Sequence, residues 1–265
     1  MHVNLLVKPA SSLCNMRCRY CFYEDEAANR TEASLGVMSR DTAALLIRQA
    51  LDAAGWDGSV SFAFQGGEPT VAGLDFFREV VRLEERFNRR GIRVINTLQT
   101  NVYAIDEEWC RFFKEHDFLI GISVDGTEEL HDRYRHDAAG GPTYSRVRRA
   151  AELLDRYGVA YNILTVVTRP VAEHAREIYM EYKKNGWDYQ QYIACLDPSD
   201  EEPGKQEYSL TPEAYGTFLT ELFRLWEKDW RKGKAPYIRQ FENYIGILMG
   251  IPPESCEQRG TCSVQ

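Results

Sequence analysis

An α/β fold built on a parallel sheet is the architecture this sequence predicts, on three observations. Short apolar runs alternate with amphipathic stretches six times between residues 3 and 193. The spacing between runs leaves room for a right-handed helical crossover, the connection that parallel strands need. The chain of 265 residues is 44% hydrophobic and 12% aromatic, enough to fill the core of one large domain, or of one domain plus a short appendage.

Residues 3–7 read as the first strand. A helix over 41–54 follows, because Ala43, Leu46, Ile47, Ala50, Leu51 and Ala54 fall on one face at helical spacing. Residues 59–64 are the next strand, and the helix after it turns Phe77, Val80, Val81 and Phe87 inward. A strand over 93–98, a helix over 107–116 and a strand over 118–124 continue the alternation. Val147, Ala150, Ala151 and Leu154 stripe the following helix; then come a strand at 159–167, a helix at 171–185 and a strand at 189–193. Periodicity does not choose between an open doubly wound sheet and a partial barrel. Beyond Ile193 an acidic, proline-bearing loop (197–204) leads into two helices. The first carries Leu219, Leu222, Phe223 and Trp226 at helical spacing as core packing.

A net charge of −8 disfavours wholesale nucleic-acid binding. No apolar stretch approaches the roughly 18 residues that span a bilayer, and Met1-His2-Val3-Asn4 does not read as a secretory leader. The expectation is an acidic, cytoplasmic enzyme with neither nucleic acid nor membrane as partner.

The chemistry is concentrated in Cys14, Cys18 and Cys21, spaced C-x-x-x-C-x-x-C directly after the first strand. Three thiolates can hold three irons of a four-iron, four-sulfur cluster and leave the fourth open to chelate a small molecule. A zinc site would want a second paired spacing, and the next Cys or His residues, Cys110 and His116, are distant and unpaired. Seven cysteines, an odd number, argue against a disulfide framework. This spacing, with the aromatic Tyr20 before the last cysteine, resembles the radical S-adenosylmethionine (SAM) enzymes. That resemblance implies a partial (β/α)6 barrel with a short helical C-terminal extension. It also implies a [4Fe-4S] cluster whose open iron binds SAM, and reduction of SAM to a 5'-deoxyadenosyl radical. In such barrels function gathers at the carboxyl ends of the strands.

Four further runs stand at those ends. Gln65-Gly66-Gly67-Glu68-Pro69 follows the second strand; its glycines let backbone approach a ligand. It matches the family's Gly-Gly-Glu-Pro motif, so the resemblance assigns its backbone and Glu68 to the ammonium group of SAM. Ser123-Val124-Asp125-Gly126, with His131, Asp132 and Arg135, matches a run of peptide-modifying members. On that match Ser123 meets the ribose side of SAM and Arg135 its carboxylate, for which a guanidinium fork is suited. His131 and Asp132 read as structural before ligand-shell residues. Cys195-Leu196-Asp197-Pro198 ends the sixth strand, and the resemblance packs Leu196 on the adenine. Gln99, Thr100 and Asn101, with Asn96 inside the strand, can meet SAM or substrate, or cap the next helix.

Read together, Lys8-Pro9-Ala10-Ser11-Ser12, the cysteine triple, Phe22-Tyr23, Phe62-Ala63-Phe64-Gln65, Leu98-Gln99-Thr100-Asn101 and Cys195-Leu196-Asp197-Pro198 resemble the anaerobic sulfatase-maturating enzymes. The resemblance implies oxidation of a cysteine or serine in a sulfatase polypeptide to Cα-formylglycine, fed by a flavodoxin- or ferredoxin-type donor. It places Tyr23 and Gln65 near the substrate peptide; Tyr23 equally reads as an aromatic cover for the cluster. The family carries a C-terminal domain with auxiliary [4Fe-4S] clusters and a proton-accepting aspartate. Cys256 and Cys262 match its first cluster ligands, while the other ligands and the aspartate are expected beyond residue 265, in a longer chain. The division expected is 1–200 for the barrel and 201–265 for a helical extension and the start of the auxiliary-cluster domain.

Overall fold

Strands and helices alternate along the chain in the computed structural model, which describes residues 1–254. In order they are β1 (His2–Val7), β2 (Met16–Cys18), α1 (Phe22–Ala28), α2 (Arg40–Ala54), β3 (Ser59–Phe64), a 3-10 turn (Pro69–Ala72), α3 (Leu74–Phe87), β4 (Arg93–Thr100), α4 (Glu107–Glu115) and β5 (Leu119–Ser123). There follow α5 (Glu128–Tyr134), β6 (Arg135–Asp137), α6 (Tyr144–Tyr157), β7 (Tyr161–Val167), α7 (Arg169–Ala172), α8 (Ala175–Lys184), β8 (Tyr189–Ala194), α9 (Pro212–Trp230), β9 (Tyr237–Ile238) and α10 (Arg239–Leu248). Cys256 and Cys262 lie outside the described residues.

Seven strands form one wholly parallel sheet in the order β1-β3-β4-β5-β7-β8-β9. The outer strands β1 and β9 are not paired with each other, so among the described residues the sheet is open rather than a closed barrel. Alternation along the strands sorts residues to two faces. On β3, Val60, Phe62 and Phe64 are buried, while Ser59, Ser61 and Ala63 are half-exposed on the opposite face. The buried face packs on the helices through edge-on rings: Phe64 meets Phe77 of α3 at 5.3 Å, and Phe77 meets Trp109 of α4 at 5.5 Å. Register sets the carboxyl ends of neighbouring strands level, with Val7 opposite Phe64 and Phe64 opposite Leu98. The loops after β1, β3 and β4 therefore leave the sheet side by side.

Several details depart from the sequence expectation. The helix expected over 171–185 is two helices: Thr168 caps α7, and the chain breaks at His174, whose Nδ1 lies 2.7 Å from the Pro170 carbonyl oxygen. A seventh, two-residue strand follows α9, with Gln190 opposite Ile238. On α9, Leu222 and Trp226 are buried as expected, but Phe223 is 41% exposed; Phe218 fills the core position instead. Asn96 points away from the ligand side, donating to Glu84 Oε2 of α3 at 2.9 Å. No helix among the described residues is long and apolar enough to cross a membrane.

Candidate active site

The loops leaving the carboxyl ends of β1, β3, β4, β5 and β8 enclose a cleft of about 330 Å³. Cys14, Cys18 and Cys21 form one wall, each half-exposed. The cysteine loop is held by interlock. Gly67 has φ +57°, and a Cβ there would stand 2.5 Å from the Leu13 carbonyl oxygen, while the Glu68 N–H donates to that same oxygen at 2.8 Å. Gly66, at φ +95°, has the Lys8 stem where a side chain would go. Both positions need glycine for conformation and for space. β2 pairs antiparallel with β6, setting Cys18 opposite Arg135.

Glu68 lines the cleft but its carboxylate is occupied by protein. Oε1 accepts from Thr70 N (3.0 Å), Thr70 Oγ1 (2.7 Å) and Thr100 Oγ1 (2.7 Å), and Oε2 accepts from Asn101 N (2.8 Å). Burial raises its pKa against the pull of those bonds. The side chain thereby caps the 3-10 turn and ties the loop after β3 to the loop after β4. Asn101 in turn donates to Asn15 Oδ1 at 2.8 Å and approaches Cys14 Sγ at 3.8 Å.

Ser123 and Gln99 sit together, Gln99 Nε2 donating to Ser123 Oγ at 2.9 Å. Gly121 makes this possible, because the Gln99 amide occupies the place of a β5 side chain. Arg135 is 6% exposed; its Nη1 donates to the Tyr20 hydroxyl at 2.8 Å and lies 3.7 Å from Asp125 Oδ2. The Tyr20 hydroxyl donates to Asp125 Oδ2. The Nε of Arg135, buried beside the cleft, has no partner. His131 is fully buried; its Nδ1 accepts from Asp125 N, and its Nε2 reaches Thr143 Oγ1 at 3.0 Å. Asp132 accepts from the backbone of Thr143 and Tyr144, so both residues serve structure here.

Burial pushes the Cys14 thiol up and the Cys18 thiol to about 12, the latter against the pull of Arg135. Such thiols shed their protons to a metal rather than to water. Among the described residues no three His, Cys, Asp or Glu side chains converge tightly enough for a single ion. Three thiols spread along one wall suit a larger, multinuclear group whose irons each take one ligand. The unpartnered guanidinium N–H beside them suits a carboxylate. The residues present therefore fit a cluster together with SAM.

At the cleft mouth Gln65 Nε2 lies 3.4 Å from the Tyr23 hydroxyl, and Leu196 is 62% exposed beside Cys195. Lys8 entered the sequence reading only as the start of the Lys8–Ser12 run, with no role of its own. Its Nζ stands 4.8 Å over the Tyr23 ring and 3.0 Å from Glu26 Oε2, fastening α1 beside the cleft.

Comparison with known proteins bears on this cleft. The family model of the Radical SAM superfamily matches residues 9–181. A cysteine-type anaerobic sulfatase-maturating enzyme of Clostridium novyi is 43% identical over 263 residues, 99% of this chain and 70% of that protein. A serine-type enzyme of Klebsiella pneumoniae is 34% identical over 88% of this chain and 57% of that protein. The solved structure of native anSMEcpe with bound AdoMet and Cp18Cys peptide superposes with a TM-score of 0.93 at 42% identity, covering 100% of this chain and 71% of that one. Streptococcus suis SuiB bound to S-adenosylmethionine, at 18% identity and a TM-score of 0.59, shares the fold.

Proposed function

Since the chain belongs to the radical SAM superfamily and, within it, to the anaerobic sulfatase-maturating enzymes, we propose that it oxidises a cysteine or serine of a sulfatase polypeptide to Cα-formylglycine. When bound, a [4Fe-4S] cluster and SAM supply a 5'-deoxyadenosyl radical on one-electron reduction. Cys14, Cys18 and Cys21 hold the cluster as thiolates. Arg135 offers its unpartnered Nε to the SAM carboxylate, and Ser123, held by Gln99, offers its hydroxyl to the ribose. Gly66, Gly67, Tyr20 and Leu196 all line the cleft; the two glycines would present backbone to the ammonium group, and Tyr20 and Leu196 would hold the rest of SAM, Leu196 against the adenine. Glu68 holds this loop in place from behind, and Tyr23 and Gln65 meet the peptide at the mouth.

Oxidation removes two hydrogens from the target. One would leave Cβ as a hydrogen atom taken up by the deoxyadenosyl radical; the other would leave sulfur or oxygen as a proton, and bound iron–sulfur chemistry would supply the one-electron acceptor for the electron left behind. A serine then carries the aldehyde directly, and a cysteine yields a thioaldehyde that exchanges sulfur for the oxygen of water. A flavodoxin- or ferredoxin-type protein of the cytoplasm supplies the first electron. The observation that carries the reading is the convergence of three cysteines, a two-glycine loop and an arginine with a free buried donor on one cleft.

The test is anaerobic reconstitution with iron and sulfide, followed by dithionite, SAM and a sulfatase-derived peptide. Expected are 5'-deoxyadenosine on chromatography and, by mass spectrometry, loss of two hydrogens at the target residue followed by hydrolysis, both lost in Cys18→Ala. A cross-linked peptide, or no deoxyadenosine from a cluster-loaded chain, rejects the maturation reading; deoxyadenosine with an unchanged peptide assigns these 265 residues to SAM cleavage and the peptide oxidation to a longer chain.

A further inference from the structure

Arg135 is a buried cation whose surroundings go beyond what binding a carboxylate needs. Its backbone carbonyl accepts from Thr143 Oγ1 at 3.0 Å, and Thr143 is reached in turn by His131. Its guanidinium is held through Nη1 on the Tyr20 hydroxyl, and its Nε, buried beside the cleft, has no partner. Behind that hydroxyl stands Asp125, 2% exposed, which accepts a hydrogen bond from the Tyr20 hydroxyl on Oδ2 and one from the Val166 N–H on Oδ1 at 3.0 Å. Asp125 is thereby anchored to β7, Tyr20 belongs to the cysteine loop, and Arg135 pairs with Cys18 across β2 and β6.

We propose that Asp125 is a positioning residue which, through the Tyr20 hydroxyl, holds Arg135 with its Nε toward SAM and balances its charge beside the cluster. This rests on the functional reading above. The Tyr20 bridge matters because Asp125 and Arg135 are 3.7 Å apart, and a carboxylate in direct fork contact would capture the guanidinium edge that the ligand needs. The hydroxyl accepts from one partner and donates to the other, which lets the acid neutralise the base without consuming that edge. Charge balance matters because a reduced cluster carries one more negative charge than an oxidised one. An uncompensated cation beside Cys18 stabilises the reduced form and raises the midpoint potential, and a buried Asp125 opposes this.

Two variants of the reconstituted protein separate the parts. Asp125→Asn keeps the shape and the Val166 bond and removes the charge; it is expected to shift the cluster's midpoint potential upward in an anaerobic redox titration. Tyr20→Phe keeps the charges and removes the bridge; it is expected to leave the midpoint in place and weaken SAM binding roughly three- to tenfold by calorimetry, the worth of one hydrogen bond. An unshifted midpoint in Asp125→Asn, or wild-type SAM affinity in Tyr20→Phe, overturns the proposal, as does a fall in melting temperature with both other readouts unchanged. Should Asp125→Asn fail to fold, the Tyr20→Phe comparison decides. A wild-type chain that holds its cluster but not SAM would instead sink the functional reading, and the midpoint comparison would still judge the charge balance.

Discussion

Gly67 and Gly158 share a left-handed backbone, φ +57° and +64°, and differ in what stands where a Cβ would go. At Gly158, the C-cap of α6, the nearest atom is the mobile Lys114 Nζ at 3.8 Å; at Gly67 it is the Leu13 carbonyl oxygen at 2.5 Å, one residue before Cys14. Alanine in this conformation costs about 1–2 kcal/mol at either site. Gly158→Ala should therefore lose about 1 kcal/mol in denaturant unfolding and bind iron normally. Gly67→Ala must also push the cysteine loop aside, so it should lose at least about 2 kcal/mol and bind less iron per chain after reconstitution. Equal iron content in the two variants would mean the interlock does not seat the cysteines. The site was legible where its residues are neighbours in sequence, as in the cysteine triple and the Gly-Gly-Glu-Pro run. It was not legible where bonds are long-range: Tyr20 meets Asp125 across 105 residues and Glu68 meets Asn101 across 33. No local spacing encodes such contacts, so the motifs gave Asp125 no role of its own and assigned Glu68 to SAM, where its carboxylate is bonded to Thr70, Thr100 and Asn101.

Between α3 and β4 lies a buried acid that the pattern of each element contains but does not explain. Phe77, Val80 and Val81 mark the inward stripe of α3, and Glu84 continues it four residues on. Its Oε2 accepts from Asn96, while its Oε1 and Asn96 Oδ1 have no partners. Burial pushes the Glu84 carboxyl from 4.5 to about 7. Because the folded value is the higher one, the unfolded chain releases this proton first. The contribution to stability is thus complete below about pH 4.5 and is lost as pH rises through 7, a change of about 3 kcal/mol at 1.36 kcal/mol per pH unit. Glu84→Gln supplies an amide donor for the Asn96 oxygen and does not titrate. The variant should gain on the wild type steadily from pH 4.5 to 7 and keep that lead above it, read by urea unfolding across pH; parallel profiles would remove Glu84 as the cause. Periodicity found the long helices and the six main strands because one face of each is buried. It missed β2, β6 and β9, of two or three residues each, which exist through pairing partners distant in sequence. It also merged α7 with α8, because an apolar stripe runs across a break that only His174 and its neighbours create.

The cleft is a property of the whole parallel sheet. Its lining runs from Cys14 after β1 to Leu196 after β8, so every major strand but the outermost β9 contributes a residue or a following loop. The carboxyl ends are held level by the ladder, and behind them one core joins the helices from α2 to α10, including Trp226 and Phe241 of the C-terminal helices. A ligand seated there touches loops that cannot separate without parting strands, and it has no comparable site on the unfolded chain. Binding energy should therefore appear as global stability by mass action: about 2.7 kcal/mol for ligand at one hundred times its dissociation constant. For a chain of 265 residues this corresponds to a rise in melting temperature of about 5 °C or more. Cluster-loaded protein heated anaerobically with and without saturating SAM should show that rise in a single transition. Protein stripped of iron should show much less, since the cysteines then present no metal for SAM to chelate. A rise of the same size without iron would mean that the cleft holds SAM through Arg135, Ser123 and the glycine loop alone. No rise in the loaded protein would mean that these strand ends, although brought together by the fold, are not where SAM binds.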